Sequence, residues 1–382
     1  MVEKPFEASI PKVELHVHFD GALANDLLYK HLTADCDTSS LPNDVFLPWE
    51  PDKPLQVRSL LESCKSLSEF NCLCQCKGER SLNAMLQCFE IFSPLVRGQF
   101  KLLEENAFSF VRNQSRQNVL YTEVRYSPHF LATIDASTST KVKLGEARAV
   151  VEAITSGLQR GCKEFGVVVN QLLCCINWRP EWADEVVELA KDFRGLPSCA
   201  VVGVDIAAGE EHFDSINFPL LHRPHYDAMQ KAASLGIPVT LHAGENADPE
   251  NVRKAVLKYG ARRIGHGYRA SDDPKFLKSV CVDRNIHFEV CPTSSLETGG
   301  WIGGGGAANW KKHPLVKMLK AKCSLSINSD DPTVFKTSLN EEMSIVRNDM
   351  MVTEDDIRGI MRKAMEASFA TEETKRLILA KL

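Results

Sequence analysis

The sequence has no long apolar run and no surplus of basic residues. No window of its 382 residues approaches about 18 consecutive apolar residues, so it predicts no membrane span. Its 45 lysines and arginines are outnumbered by 50 aspartates and glutamates, which argues against nucleic-acid binding. Residues 1–7 contain acids and no apolar stretch, so no secretory signal is visible. We therefore expect a cytoplasmic protein that binds neither nucleic acid nor membranes.

The 13 cysteines do not form a recognisable set of disulfides or zinc ligands. Their number is odd, and Cys174 and Cys175 lie inside an apolar run, where free cysteines act as small hydrophobic side chains. Cys72, Cys74 and Cys76 alternate and lack the C-x-x-C spacing of a zinc knuckle. These features are typical of a protein from a reducing compartment.

The motifs of dinucleotide-binding folds, P-loops and cytidine-type zinc deaminases are also missing. No G-x-G-x-x-G follows the first predicted strand, which disfavours a dinucleotide-binding fold. The glycine run at 303–306 is not followed by the Lys-Ser/Thr of a P-loop. The segment His287–Pro292 contains an H-x-E pattern, but the C-x-x-C of cytidine-type zinc deaminases is absent. We interpret this segment as a strand in which Glu289 is an inward or structural carboxylate.

What is present is an alternation of short apolar, β-branched runs with longer helical patterns. The runs are nearly continuous in apolar residues, as in parallel strands buried on both faces. Eight such strands alternating with helices predict an α/β protein of the (β/α)₈ barrel type, with an open doubly wound sheet as the alternative. The predicted strands are Val13–His18, Val119–Ser127, Val167–Ile176, Val201–Ala207, Pro238–His242, Arg262–His266, His287–Pro292 and Ser324–Asn328.

We expect residues 1–382 to form one barrel domain. The connection between the first two strands, about residues 22–118, is too long for one helix. We therefore expect a helical insertion there that forms a lid over one mouth of the barrel. Helical patterns at 354–369 and 372–382 predict extra helices at the C-terminal end. We expect the protein to be a monomer.

Histidines and carboxylates follow the ends of several predicted strands. His16 and His18 end the first strand, His242 and His266 end the fifth and sixth, and Asp330 follows the eighth. Active sites of such barrels lie at the carboxyl ends of the strands, and residues two apart on a strand point the same way. Three neutral histidines and a carboxylate suit Zn²⁺, with an open position for water. The pattern predicts a zinc site at this mouth.

One metal ion per chain is expected, because the end of the fourth strand, residues 205–210, has no lysine to bridge two metals. Zn²⁺ lowers the pKa of a bound water towards about 7. His266 and Asp330 are candidates for orienting or deprotonating that water. Glu245, three residues after His242, is placed to protonate the electrophile. The alternative role for Glu245 is structural, as a partner of the N-cap of the next helix.

Four motifs together resemble the adenosine deaminase family of the metal-dependent amidohydrolases. They are Pro11–Gly21 (PKVELHVHFDG), Leu241–Glu245 (LHAGE), Gly265–Gly267 (GHG) and Ser329–Pro332 (SDDP). The resemblance runs from about residue 9 to the C-terminus and is weakest between about 25 and 80. It implies a zinc-dependent hydrolase that converts adenosine and 2′-deoxyadenosine to inosine, or deoxyinosine, and ammonia, within purine metabolism.

The resemblance also implies roles for individual residues. Glu245 would donate a proton to purine N1, while His266 and Asp330 would orient the attacking hydroxide. Asp331 would hydrogen-bond N7, and Asp20 would hold the ribose 5′-hydroxyl. The implied zinc ligands are His16, His18, His242 and Asp330, and His18 would also border the substrate.

The implied purine pocket has one departure from the family pattern. The family usually has a glycine at the backbone contact with purine N3, where an ungapped match places Ala208 followed by Gly209. Either residue could supply that contact. The segment 82–89 matches the helix that covers the purine, although an ordinary amphipathic core stripe would look the same. Its implied apolar wall is Leu82, Met85, Leu86 and Phe89.

Two other functions stay open beside adenosine deamination. One is deamination of a purine nucleotide such as AMP or N6-methyl-AMP, although a carboxylate at Asp20 would repel a dianionic phosphate. The other is a binding relative without catalysis, against which the complete ligand set and Glu245 argue.

Overall fold

The computed structural model describes residues 5–76, 80–134, 142–143, 145–210, 222–303 and 308–382. Two four-stranded parallel sheets form its centre, with the strand orders β1-β4-β5-β6 and β10-β9-β8-β7, and a separate hairpin consists of β2 and β3. The strands are β1 Lys12–His18, β2 Asp44–Leu47, β3 Glu50–Gln56, β4 Val119–Tyr126, β5 Val168–Ile176, β6 Val201–Ala207, β7 Thr240–Ala243, β8 Arg263–His266, β9 His287–Val290 and β10 Ser324–Ile327.

Two parallel bridges join the sheets into a closed barrel. Val204 pairs with Val239 on one side, and Val17 pairs with Asp330 on the other. The second seam is held by the amide of His18, which donates to the carbonyl of Asp330 at 2.8 Å. The predicted (β/α)₈ barrel is therefore confirmed, and the doubly wound alternative is wrong. Its strands are buried along almost their whole length, which explains why their sequences read as unbroken apolar runs.

Helices surround the barrel, and none in the described part of the chain is long and apolar enough to cross a membrane. Single π-helical turns at Leu277–Val282 and Ile345–Asp349 extend α11 and α15. The α-helices are α1 Phe6–Ser9, α2 Asn25–Ala34, α3 Val57–Ser63, α4 Leu67–Cys74, α5 Leu82–Val96, α6 Phe100–Arg116, α7 Glu146–Phe165, α8 Ala183–Phe193, α9 His222–Ser234, α10 Pro249–Leu257, α11 Pro274–Phe276, α12 Pro292–Glu297, α13 Pro314–Lys320, α14 Pro332–Phe335, α15 Leu339–Ser344, α16 Glu354–Ala367 and α17 Glu372–Leu379.

The long connection after β1 contains α2 to α6, as expected, and also the β2–β3 hairpin, which the sequence did not predict. The second strand of this hairpin, Glu50–Gln56, reads EPDKPLQ. This segment lacks the usual signs of a strand, because its apolar and polar residues do not alternate. It also contains two prolines, which donate no hydrogen bond to a neighbouring strand. Pro48 and Trp49 form the turn between the two strands.

Candidate metal centre and active site

Four histidines and an aspartate meet at the carboxyl ends of the barrel strands. His16 and His18 lie at the end of β1, His242 lies on β7, and His266 ends β8. Asp330 follows β10 and bridges to β1, which brings the last strand end beside the first. Both His266 and Asp330 have a positive φ, of 64° and 60°, a conformation that costs an ordinary residue about 1–2 kcal/mol. Backbone strain of this kind is typical of functional sites.

The ring nitrogens of the cluster point at a common centre. Nε2 of His16 lies 3.1 Å from Oδ1 of Asp330, and Nε2 of His18 lies 3.5 Å from the same oxygen. The Nε2 atoms of His18 and His242 are 3.2 Å apart. Nε2 of His266 lies 3.9 Å from Oδ2 of Asp330. Ring nitrogens and a carboxylate oxygen thus converge at one place.

Two buried carboxylates hold the outer nitrogens of the histidine rings. Nδ1 of His16 lies 2.8 Å from Oε2 of Glu289, and Nδ1 of His242 lies 2.9 Å from Oδ2 of Asp205. The guanidinium of Arg125 donates to both carboxylates, at 2.6 and 2.7 Å. Burial opposes the charge on Glu289, but Arg125, Arg263 and His16 together outweigh burial and hold the pKa of this carboxyl well below its usual range. Glu289 accepts the Nδ1 proton of His16, and the Asp205 carboxylate faces Nδ1 of His242, so both rings present Nε2 as a possible ligand.

The ring of His266 is held differently, by the hydroxyl of Tyr268. Nδ1 of His266 lies 3.0 Å from this hydroxyl, which donates its proton to the carbonyl of Cys291 at 2.9 Å. A phenol has one proton to donate, so its oxygen accepts the Nδ1 proton of His266. Nε2 of His266 therefore presents a lone pair to the cluster.

The geometry of the cluster fits a zinc site. Tetrahedral coordination with Zn–N distances of about 2.0–2.1 Å places neighbouring ligand atoms about 3.3 Å apart, close to the separations found here. His16 Nε2 and Asp330 Oδ1 are buried without a hydrogen-bond partner in the described part of the chain. Ligand atoms of His16, His242, His266 and Asp330 lie within 4.8 Å of one another. His18 borders this group, so four histidines are available where three are needed.

Glu245 lies beside the cluster in a buried loop. Its Oε2 is 3.7 Å from Nε2 of His266, and its Oε1 is 2.8 Å from the hydroxyl of Thr298. The loop is held by Glu210, which accepts hydrogen bonds from the amides of Gly244 and Glu245 at 2.5 and 3.0 Å. Burial, followed by the neighbouring Asp330, raises the pKa of Glu245 to about 8. A buried carboxyl of this kind can donate a proton.

Asp331 lies next to the cluster at the N-terminal end of α14, where its side chain makes no capping hydrogen bond. Its Oδ1 is buried and has no partner among the described residues. A Cβ atom at Gly21 would lie 1.9 Å from this oxygen, so only glycine leaves room for the carboxyl at that position. Burial and then the Asp330 carboxylate raise the pKa of Asp331 well above its usual range. Asp331 also lines the cleft, so its buried carboxyl is available to a ligand there.

Asp20 is the third carboxyl in the cleft. It follows His18 by two residues and is 8% exposed. Its Oδ1 is 4.0 Å from Nδ1 of His18, too far for a hydrogen bond, and has no partner in the described residues. Burial raises the pKa of Asp20 to about 7.

A cleft with an empty volume of about 700 Å³, part of it open solvent, joins these groups. The four apolar residues expected on the covering helix all line it, from α5. Ala208 lines the cleft and Gly209 is not among the described lining residues. Both have a positive φ, of 64° and 70°, so Ala208 keeps a conformation that favours glycine. The lining residues are His18, Asp20, Trp49, Leu82, Met85, Leu86, Phe89, Glu90, Ser127, Phe130, Cys174, Ile176, Trp178, Ala207, Ala208, His242, Glu245, His266, Asp330 and Asp331.

Sequence reasoning missed most of the residues that support the cluster. Asp205 and Tyr268 had a usable signal, because Asp205 lies on a strand and Tyr268 follows His266 by two residues. No pattern in the sequence indicates Glu210 or Thr298, because these residues contact Glu245 only in the folded chain. Glu289 was recognised as an inward or structural carboxylate, but its bond to His16 was not foreseen.

A closed parallel barrel with a histidine and aspartate cluster at its strand ends defines a metal-dependent amidohydrolase. The family model described as adenosine deaminase matches residues 11–382, and the chain belongs to the adenosine deaminase family. Adenosine deaminase from Xenopus laevis is 33% identical over 378 residues, which cover 97% of this chain and 94% of the relative.

Two solved structures share the fold. The N6-mAMP deaminase from Arabidopsis has a TM-score of 0.73 and is 23% identical, with 98% of both chains covered. An amidohydrolase from Burkhoderia ambifaria, solved with bound Zn, has a TM-score of 0.70 and is 22% identical, with 98% of this chain and 90% of that chain covered.

Proposed function

We propose that the protein is a zinc-dependent hydrolase that converts adenosine and 2′-deoxyadenosine to inosine, or deoxyinosine, and ammonia. The observation that carries this proposal is the pair of buried carboxyls, Glu245 and Asp331, that line the cleft beside the ligand cluster. Their raised pKa values favour the protonated forms, which donate hydrogen bonds. Adenine presents its N1 and N7 acceptors on either side of C6, so the two carboxyls complement the reacting end of the purine.

In this proposal His16, His18, His242 and Asp330 would hold one zinc ion. Zinc bound there would supply the Lewis acidity that makes water nucleophilic near neutral pH. Nε2 of His266, whose tautomer Tyr268 fixes, accepts a proton from the attacking water. Glu245 donates a proton to N1, which makes C6 electrophilic. The hydroxide adds at C6, the amino group takes up the proton held by His266, and the C6–N bond breaks to release ammonia. The C6 hydroxyl gives its proton back to Glu245, which leaves the carbonyl of inosine and restores both residues.

Recognition of the rest of the nucleoside falls to the cleft walls. Asp331 hydrogen-bonds N7, and the backbone at Ala208 or Gly209 meets N3. Leu82, Met85, Leu86 and Phe89 cover the base and exclude water. Asp20 holds the 5′-hydroxyl, with His18 beside it. The insertion at about 22–118 acts as the lid of a single catalytic domain, which works as a monomer within purine metabolism in the cytoplasm.

A nucleoside is favoured over a nucleotide because of the charges in the cleft. Its described lining contains the carboxyls of Asp20 and Glu90 but no lysine or arginine. A phosphate dianion there would meet like charge and no cation to pair with. The fold shared with an N6-mAMP deaminase does not alter this, because that similarity concerns the fold alone.

The proposal is tested with a substrate panel on the purified protein, with zinc quantified in the same sample. We expect loss of the adenosine absorbance band with adenosine and 2′-deoxyadenosine, little change with AMP or N6-methyl-AMP, and one zinc per chain. Higher turnover of either nucleotide would overturn the nucleoside assignment. No turnover by zinc-loaded protein would favour a non-catalytic relative, and activity that requires two zinc ions per chain would exclude the single-metal site.

A further inference from the structure

Two tryptophans contact each other at the open end of the cleft. Trp49 lies in the turn between β2 and β3, and Trp178 lies two residues after β5. Their ring centroids are 5.5 Å apart with an interplanar angle of 73°, an edge-to-face contact. Both rings line the cleft. Two segments 129 positions apart in the sequence thus close one wall of the site together.

The two halves of this pair are supported differently. Trp178 follows Asn177, whose amide and side chain donate to the carbonyls of Ala207 and Ala208 at 3.1 and 2.7 Å. Trp178 is therefore fixed to the barrel beside the expected purine N3 contact. Trp49 is carried by a hairpin on the surface, where Phe46 is 62% exposed. The tryptophan pair thus connects the barrel to the β2–β3 hairpin on its surface.

The position of the pair indicates which part of a nucleoside it meets. Glu245, His266 and Asp331 are buried at the inner end of the cleft, and the proposed function places the reacting edge of the purine there. Trp49 and Trp178 are half-buried, so they lie towards the mouth. The proposed function places the 5′-hydroxyl at Asp20, which lines the same cleft as the two indoles. A substituent longer than this hydroxyl extends from C5′ towards the mouth, where the indoles lie.

We propose that Trp49 and Trp178 form an aromatic wall that limits the size of the group at C5′ of the substrate, an inference that rests on the proposed function. Two indoles in edge-to-face contact present one continuous apolar surface, and each ring limits how far the other can move. A hydroxyl or a small thioether fits against it, whereas a longer chain must push the rings apart. Packed aromatic walls resist such expansion, because overpacking forces side chains out of their preferred conformations.

The test uses 5′-deoxy-5′-alkylthioadenosines of increasing length, from methylthio to butylthio. Every member lacks the 5′-hydroxyl, so the loss of its bond to Asp20 is constant along the series and only size changes. For the unmodified protein we expect kcat/KM to fall by about tenfold or more from methylthio to butylthio. In Trp49→Ala and Trp178→Ala we expect kcat/KM to fall by only about threefold or less from methylthio to butylthio.

The double variant and a control complete the experiment. Because the two rings support each other, the effects of Trp49→Ala and Trp178→Ala should not add in the double variant. Phe46→Ala, on the same hairpin but outside the described cleft lining, should keep the steep dependence on length. Trp49 lies outside the barrel, so its variant remains informative if Trp178→Ala fails to fold.

The outcomes separate this inference from the proposed function. If the unmodified protein deaminates adenosine but both single variants keep its dependence on chain length, the aromatic wall is wrong and the proposed function stands. If the zinc-loaded protein does not deaminate adenosine, the proposed function is wrong, and so is the inference that rests on it. If Phe46→Ala weakened the dependence of kcat/KM on chain length as much as the tryptophan variants do, the inference would also be overturned. The effect would then come from the hairpin as a whole.

Discussion

The hydroxyl of Tyr268 lies 3.0 Å from Nδ1 of His266 and sets the direction in which this histidine can accept a proton. Because that hydroxyl donates to Cys291, it must accept from Nδ1, and Nε2 is left with its lone pair towards the cluster. The hydrogen bond therefore determines the tautomer of a residue that the proposed reaction needs as a base.

Replacing this tyrosine should weaken catalysis without removing the metal. In Tyr268→Phe the Nδ1 proton loses its acceptor, so we expect kcat to fall by about 10- to 100-fold, the usual effect of losing an orienting partner. KM for adenosine and zinc content should change little. Tyr259→Phe, at another buried tyrosine, is the matched control. A fall in stability with unchanged kcat would show that Tyr268 is only structural.

Glu245→Gln should keep the zinc and the fold but lose about 10²- to 10⁴-fold in turnover, because an amide cannot deliver a proton to N1. Steady-state kinetics, zinc content and thermal unfolding check this together. Glu342→Gln is the control, since burial also raises the pKa of Glu342, to about 7, but that residue lies outside the described cleft lining. A Glu245→Gln enzyme within tenfold of the unmodified protein would remove Glu245 from the chemistry.

The adjacent carboxyls Asp330 and Asp331 should respond differently to the same change. Oδ1 of Asp330 lies 3.1 Å from Nε2 of His16, whereas the carboxyl of Asp331 packs over Gly21. We expect Asp330→Asn to lose both zinc and activity, and Asp331→Asn to lose activity while it keeps zinc. Metal analysis of the two purified variants decides this. Zinc loss confined to Asp331→Asn would mean that their roles are reversed.

Substrate choice should depend on Asp20. A carboxylate that accepts a hydrogen bond from a 5′-hydroxyl contributes about 1.5–3 kcal/mol, and a phosphate there meets repulsion. We expect kcat/KM for adenosine to exceed that for AMP by at least about 10³. Asp20→Asn should lower this ratio, mainly by lowering kcat/KM for adenosine. Glu90→Gln, at a cleft carboxylate that pairs with Arg97 at 3.0 Å, should change the ratio less. An unchanged ratio in Asp20→Asn would reduce Asp20 to a turn-capping role.

The sequence by itself was enough to predict the barrel and the histidine and aspartate residues that cluster at its mouth. Strands buried on both faces need continuous apolar segments, and this requirement is local, so β1 and β4 to β10 were recognised within a few residues of their bounds. Once a barrel is expected, every strand end belongs to one mouth. His16, His242 and Asp330 could therefore be grouped although they are far apart in the chain.

Only the tertiary structure decided how the cluster is supported and how its mouth is shaped. The partner of His16, Glu289, is 273 positions away, and no local pattern links them. The contact between Trp49 and Trp178 likewise depends on a proline-rich hairpin without strand periodicity. Ring tautomers, the bonds that orient carboxyls and the packing of the lid arise from contacts between distant segments. Periodicity and strand-end position describe each segment alone, so they cannot encode which side chains meet.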